Sequence, residues 1–271
     1  MEPDPIDELP IAPPPVVEFA PPEPLPEAPA AVPGPAKPPR QPFWGYLDLL
    51  LFIGLAVGLT VILLVPVVVY AKVGNPQSAQ TIALDLGAQA VLYAAIYFAF
   101  KIVFATRYHQ PVFRSLGWRR GIVRPGVYAL LGVLLAIGVQ GLLQLLRTPE
   151  VKSPVENLID SRLTLFLVGV LAVVAAPIFE EAVFRGFLQP LFSRTFGTIA
   201  GILITAALFG GLHWTEYSGV WQYAAAITIL GIVFGWIRAR TNSLIPSTIM
   251  HACHNGVAVV GLIISKYSHL K

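Results

Sequence analysis

Long apolar runs alternate with short polar turns along most of the chain, and the length of the runs sets the class of fold. A helix rises about 1.5 Å per residue, so roughly 20 apolar residues cross the ~30 Å hydrocarbon core of a bilayer. On that measure seven helices are predicted, at 46–71, 80–105, 125–147, 163–192, 197–215, 221–239 and 243–265. The expected fold is all-α, a polytopic transmembrane helix bundle. The fourth run is long for one crossing, and Pro190 near its end predicts a bend or an interfacial turn. The fifth and sixth runs are short for a span.

Residues 1–42 are of another kind. They hold 16 of the 25 prolines and too few apolar side chains to build a core. Proline lacks the amide donor a helix needs, so a disordered, partly polyproline-II tail is expected, followed by a transmembrane helical domain over 43–271. No signal peptide is expected, because the first residues are acidic and no basic stretch leads into an apolar one. The first apolar run would act as an uncleaved anchor.

Composition agrees with a bilayer location. The chain is 55% hydrophobic and 12% charged, against about 25% charged in soluble domains. The formal charge of +3 conceals an asymmetry. The tail carries seven acidic and two basic residues, which leaves eight acidic and sixteen basic for the rest. Those basic residues are scattered over short loops rather than gathered on one face, so nucleic-acid binding is not expected. A single cysteine, Cys253, excludes an internal disulfide and a four-cysteine zinc site.

Loop charge predicts orientation. The connection between the second and third runs carries Lys101, Arg107, Arg114, Arg119, Arg120 and Arg124, whereas Lys72 stands alone between the first and second. The richer loop is expected in the cytoplasm, and the N-terminal tail with it. Arg194, Arg238 and Arg240 fall on the same side, while Lys266 and Lys271 argue weakly against it. The expected location is the plasma membrane, of bacterial inner-membrane type, crossed several times.

The candidate chemistry lies in 163–265. Glu180 and Glu181 are adjacent in an apolar helix, where each ionised carboxylate costs a few kcal/mol or more unless paired. Glu181 and Arg185 are four residues apart and face each other, whereas Glu180 is turned about 100° away and stays free for chemistry. His213, His251, His254 and Asn255 also lie in apolar segments. Glu180 lies 17 positions before Gly197 and His213 16 after it, so a helical hairpin turning at Gly197 sets the two at similar depth. His251 and Asn255 lie 9 and 13 residues beyond Asn242 and share a helix face. Spacing thus allows Glu180, His213, His251 and Asn255 to converge in the half of the bundle expected to face the cytoplasm. Phe209 reads as packing, His254 as a bystander, and Trp214 and Tyr217 as an interfacial belt.

The three clusters, Glu180-Glu181-x-x-x-Arg185, Phe209-x-x-x-His213 and His251-x-x-x-Asn255, resemble the ordered motifs of the CPBP (Abi) family. These are CAAX-protease and bacteriocin-processing intramembrane proteases, related to the type II CAAX prenyl endopeptidases. The resemblance implies hydrolysis of a peptide bond in a membrane-associated protein or peptide. It implies water activation by Glu180 and His213, with the oxyanion held by His251 and Asn255 and with Glu181, Arg185 and Phe209 in support. It also offers Glu180, His213 and His251 as a three-ligand set for a divalent metal such as zinc. Against this, there is no His-Glu-x-x-His motif, and a glutamate bound to metal is no longer free as a base. Metal-dependent and metal-free chemistry both stay open. Two rival classes remain as well: a proton-coupled transporter using a buried Glu/His relay, and a catalytically silent scaffold or immunity protein. The lipid bilayer and a membrane-associated substrate are the expected partners, and no oligomeric state is implied.

The orientation is directly testable. A cysteine at position 110, in a Cys253→Ser background, is expected to resist impermeant thiol reagents applied to intact cells. Labelling from outside would overturn the assignment.

Overall fold

The computed structural model describes residues 42–73, 78–119, 124–151 and 161–268. The expectation of a disordered tail at 1–42 therefore falls outside the described residues except at Pro42. The helices are α1 (Tyr46–Val73), α2 (Ser78–Lys101, running on as a π turn over Ile102–Thr106), the short α3 (Val112–Leu116) and α4 (Pro125–Leu145). Then come α5 (Arg162–Phe196), α6 (Thr198–Leu212), α7 (Trp221–Thr241) and α8 (Leu244–Ser268). No strand occurs among the described residues.

The expected transmembrane bundle is what the structure shows, with six helices among the described residues long and apolar enough to span. The fifth predicted span is the shorter one. It is α6, 15 residues long and ending at Leu212 rather than 215, which at ~1.5 Å per residue falls short of a full crossing. Side chains such as Leu50 and Ile62 on α1 are more than 60% exposed. That much apolar surface suits contact with lipid rather than water.

α5 differs most from expectation. It continues past Pro190 to Phe196, 35 residues in all, interrupted by π stretches at Leu171–Ala175 and Ala182–Leu188. Each π stretch is followed within two residues by a proline, Pro177 or Pro190. Proline supplies no N–H and collides with the carbonyl four residues back in a regular α-helix. The wider π turn relaxes that collision while the helix continues. The Ala176 amide bonds to Leu171 O, five residues back. The partner due next, to Ala172 O, would be Pro177, which has no hydrogen to give. The helix begins with a capping box, in which Ser161 Oγ accepts from the Thr164 amide.

The second π stretch is also where α5 meets the first two helices. Phe187, fully buried, stacks on Trp44 with ring centroids 5.6 Å apart and touches Phe52, Phe100 and Phe104. Trp44 Nε1 donates to the Phe187 carbonyl at 3.1 Å. On the other side, α6 packs against α7 and the end of α5, and α8 lies against α4 and the first π stretch. Small residues let these helices close up, as is usual where lipid offers no hydrophobic drive between them. At Gly231 a Cβ would stand 2.9 Å from Ala206 Cα and 3.3 Å from the Arg185 guanidinium. At Gly210 it would run into Thr228 and the Ala224 carbonyl.

Gly231→Val is therefore expected to lower stability by about 1–3 kcal/mol through overpacking. Thermal unfolding in detergent checks this, and an unchanged midpoint would contradict the close approach.

Candidate active site

α5 places Glu181 and Arg185 one turn apart across the start of the second π stretch, with both side chains fully buried. Glu181 Oε1 stands 3.0 Å from the Arg185 guanidinium. Arg185 also donates to the Gly231 carbonyl at 3.3 Å and lies over the Phe209 ring, 4.4 Å from its centroid, with Phe234 at 5.4 Å. With Phe184 at 5.7 Å, the cation is thus held by one carboxylate, one carbonyl and three aromatic rings, which stand in for water around it.

His251 on α8 bridges the two glutamates. Its Nδ1 is 3.4 Å from Glu181 Oε1 and its Nε2 is 3.5 Å from Glu180 Oε2. Phe234 stacks on the imidazole at 4.9 Å, and Phe209 meets it edge-on at 5.9 Å. The ring therefore has little freedom to turn. Ser247, one turn earlier on α8, also faces the Glu181 carboxylate. Of the two acids only Glu180 is partly open, at 26% of its side chain. A reacting molecule can reach Glu180, and it cannot reach Glu181.

His213 closes the C-terminal end of α6. Its Nδ1 lies 2.8 Å from the Phe209 carbonyl, which can only accept, so the proton sits on Nδ1. Its Nε2 points to Glu216 Oε2 at 3.8 Å. Among the described residues His213 and Glu180 are not within ion-pair distance of each other. What links them is Glu216, whose charge interacts with both. Burial pushes the Glu216 carboxyl above the usual range, the His213 side chain works against that, and the Glu180 charge adds to it. Tyr93, on α2, completes the group: its hydroxyl senses the charges of Glu180 and Glu216, and its ring stacks on Phe179 at 4.8 Å.

Asn255 lies one turn beyond His251 and reaches the first π stretch, donating Nδ2–H to Ala172 O at 2.9 Å. That is the carbonyl which Pro177 leaves without its next helical partner. One amide hydrogen of Asn255 is thereby used in holding α8 to α5, and the second remains. His254 points elsewhere on α8, and its buried Nδ1 has no hydrogen-bond partner.

Glu216 and Tyr93 do not figure in the sequence reading. For Glu216 a signal was present, since it stands three residues after His213 in a turn between apolar helices. For Tyr93 there was none, because its place follows from how α2 packs on α5.

No three His, Cys, Asp or Glu side chains among the described residues are grouped as a metal-ligand set. Both nitrogens of His251 face carboxylates, and those of His213 are directed to Phe209 O and Glu216. As placed, His213 turns its Nε2 to Glu216 rather than to Glu180 and His251, so the three side chains are not gathered round one point.

A multi-pass membrane protein with carboxylates and imidazoles clustered inside its bundle is thus in view. Residues 162–257 match the family model described as type II CAAX prenyl endopeptidase Rce1-like. The match runs from the start of α5 to just beyond Asn255 and is the family that the three motifs resemble. It supports a membrane-embedded protease of broadly CAAX type. No curated protein and no solved structure matches the chain.

The raised Glu216 carboxyl gives a pH signature. The folded state holds this proton more tightly than the unfolded chain, so stability falls as pH rises from about 4, the ordinary glutamate value, through the raised one. Glu216→Gln is expected to unfold at a higher temperature than wild type at pH 7–8, with the difference vanishing near pH 4. Parallel melting profiles across that range would contradict the assignment.

Proposed function

We propose that residues 162–265 form an intramembrane endopeptidase that cleaves a peptide bond in a membrane-associated protein or peptide, CAAX-type processing being the favoured chemistry. The family match over 162–257 supports the class of reaction. The observation that carries the residue roles is the single imidazole, His251, set between one buried and one accessible glutamate.

In this reading Glu180 is the general base. It takes a proton from a water whose oxygen attacks the scissile carbonyl carbon, and it later returns that proton to the leaving amine as the C–N bond breaks. His213 shares the orientation of that water. Its ring is fixed by the Phe209 carbonyl, and its Nε2 faces Glu216. His251 stands with Nδ1 beside Glu181 and Nε2 beside Glu180. With the ring held in place, a proton on Nε2 is the first donor to an oxyanion that forms beside Glu180. The free amide hydrogen of Asn255 is the second donor, and such a donor is worth roughly 3–4 kcal/mol in the transition state. Glu181 and Arg185 position His251 and touch no substrate. A metal-dependent variant of the mechanism would require His213 to leave Glu216 and turn toward Glu180 and His251.

Glu180→Gln is expected to lower the cleavage rate of a membrane-associated peptide by about 10²–10⁴-fold with unchanged folding. A residual rate above about a tenth of wild type would remove Glu180 as the base. Running the assay with and without a chelator, alongside elemental analysis for zinc, tests the metal-dependent variant. Bound zinc whose removal abolishes cleavage and whose return restores it would favour that variant.

A further inference from the structure

A second polar site lies at the other end of α5. A cavity of about 390 Å³ opens where the turns after α5 and α7 meet the segment after α3. That volume is in the range of small-ligand pockets. None of Glu180, His213 and His251 lines it, and every charged side chain that does is an arginine: Arg119, Arg185, Arg194 and Arg238.

Arg185 is already neutralised by Glu181. The other three have no carboxylate within ion-pair distance among the described residues. Arg194 gives one N–H to the Pro42 carbonyl at 2.7 Å, and Arg238 gives one to Asn242 Oδ1 at 3.1 Å. Among the described residues the rest of their donors have no hydrogen-bond partner, and Arg238 Nε is buried without one. The charge of Arg119 acts repulsively on Arg238. Like charges held around one cavity call for an anion between them.

Gln189 narrows the chemistry. It also lines the cavity and is 4% exposed; its Nε2 donates to the Gly235 carbonyl at 2.9 Å, and its Oε1 has no partner. A ligand that satisfies this wall must accept from guanidinium groups and also donate to an amide oxygen. A phosphomonoester carrying one proton does both, since its second ionisation lies near pH 6. A sulfate or a phosphodiester has no such proton.

We propose that this cavity binds a phosphate group that carries one proton, as a phosphomonoester lipid headgroup or as free phosphate, through Arg119, Arg194 and Arg238, with Gln189 Oε1 accepting a hydrogen bond from its P–OH. The proposal does not depend on the protease reading, and its test uses no cleavage assay.

The test is thermal unfolding of the full-length protein in neutral detergent at constant ionic strength. One arm titrates sodium phosphate against sodium sulfate. The other compares phosphatidylcholine bicelles with and without phosphatidic acid. Stabilisation by phosphate and by phosphatidic acid identifies a site open to both sources, and stabilisation by phosphatidic acid alone identifies a lipid site. In either case Arg238→Gln is expected to weaken the apparent affinity about tenfold or more. Arg119→Gln, on an exposed segment, is expected to do the same and carries the test if the Arg238 variant fails to fold. Arg162→Gln, far from the cavity, should respond as wild type. No stabilisation by either ligand, an equal response to sulfate, or arginine variants that bind as wild type would overturn the proposal.

Discussion

The buried pair of Glu181 and Arg185 is the interaction on which the rest of the bundle depends. Two charges taken out of water cost several kcal/mol each, and they are tolerable only when each satisfies the other and the surroundings supply further partners. Those surroundings define the architecture. Gly231 has no side chain, so α7 can bring its carbonyl to Arg185. Phe209 from α6 and Phe234 from α7 cover the guanidinium, and His251 from α8 shares the carboxylate. Four helices meet because one ion pair needs them.

The same pair divides the labour of two identical side chains. Glu181 is spent on Arg185 and His251, sealed from any reactant. Glu180, one residue earlier, points to the opposite nitrogen of the same imidazole and keeps an accessible face. A difference in rotation of about 100° thus becomes a difference between a sealed carboxylate and an accessible one. The π stretches of α5 serve that placement. They carry the helix past two prolines without a break, and the carbonyl that Pro177 leaves free becomes the anchor for Asn255. The residue that ties α8 to α5 thereby keeps a second amide hydrogen uncommitted among the described residues.

The parts legible in the sequence were those set by local periodicity. Run length gave the helices, and i,i+4 spacing gave the Glu181–Arg185 pair and the shared face of His251 and Asn255. Depth counting from Gly197 and Asn242 sets Glu180, His213, His251 and Asn255 at comparable levels. It does not say which pairs touch, and the structure sets Glu180 beside His251 and His213 beside Glu216. That choice depends on how α6, which stops at Leu212, presents its last turn. α5 extends to Phe196, beyond the expected end at 192, because a π turn before Pro190 lets the helix continue, and π turns leave no periodic trace. Tyr93 was invisible for a related reason: a tyrosine on an apolar helix carries no sign of which neighbour it will face.

A double-mutant cycle on unfolding free energy, with Glu181→Leu, Arg185→Met and the two combined, tests the central claim most directly. Each single change strands one buried charge and is expected to cost about 3–5 kcal/mol. The double variant replaces both charges with apolar groups of similar size, so it should recover most of that loss while leaving His251 without its orienting carboxylate. Losses that simply add would mean that the pair does not hold the bundle together, and the account built on it would fall.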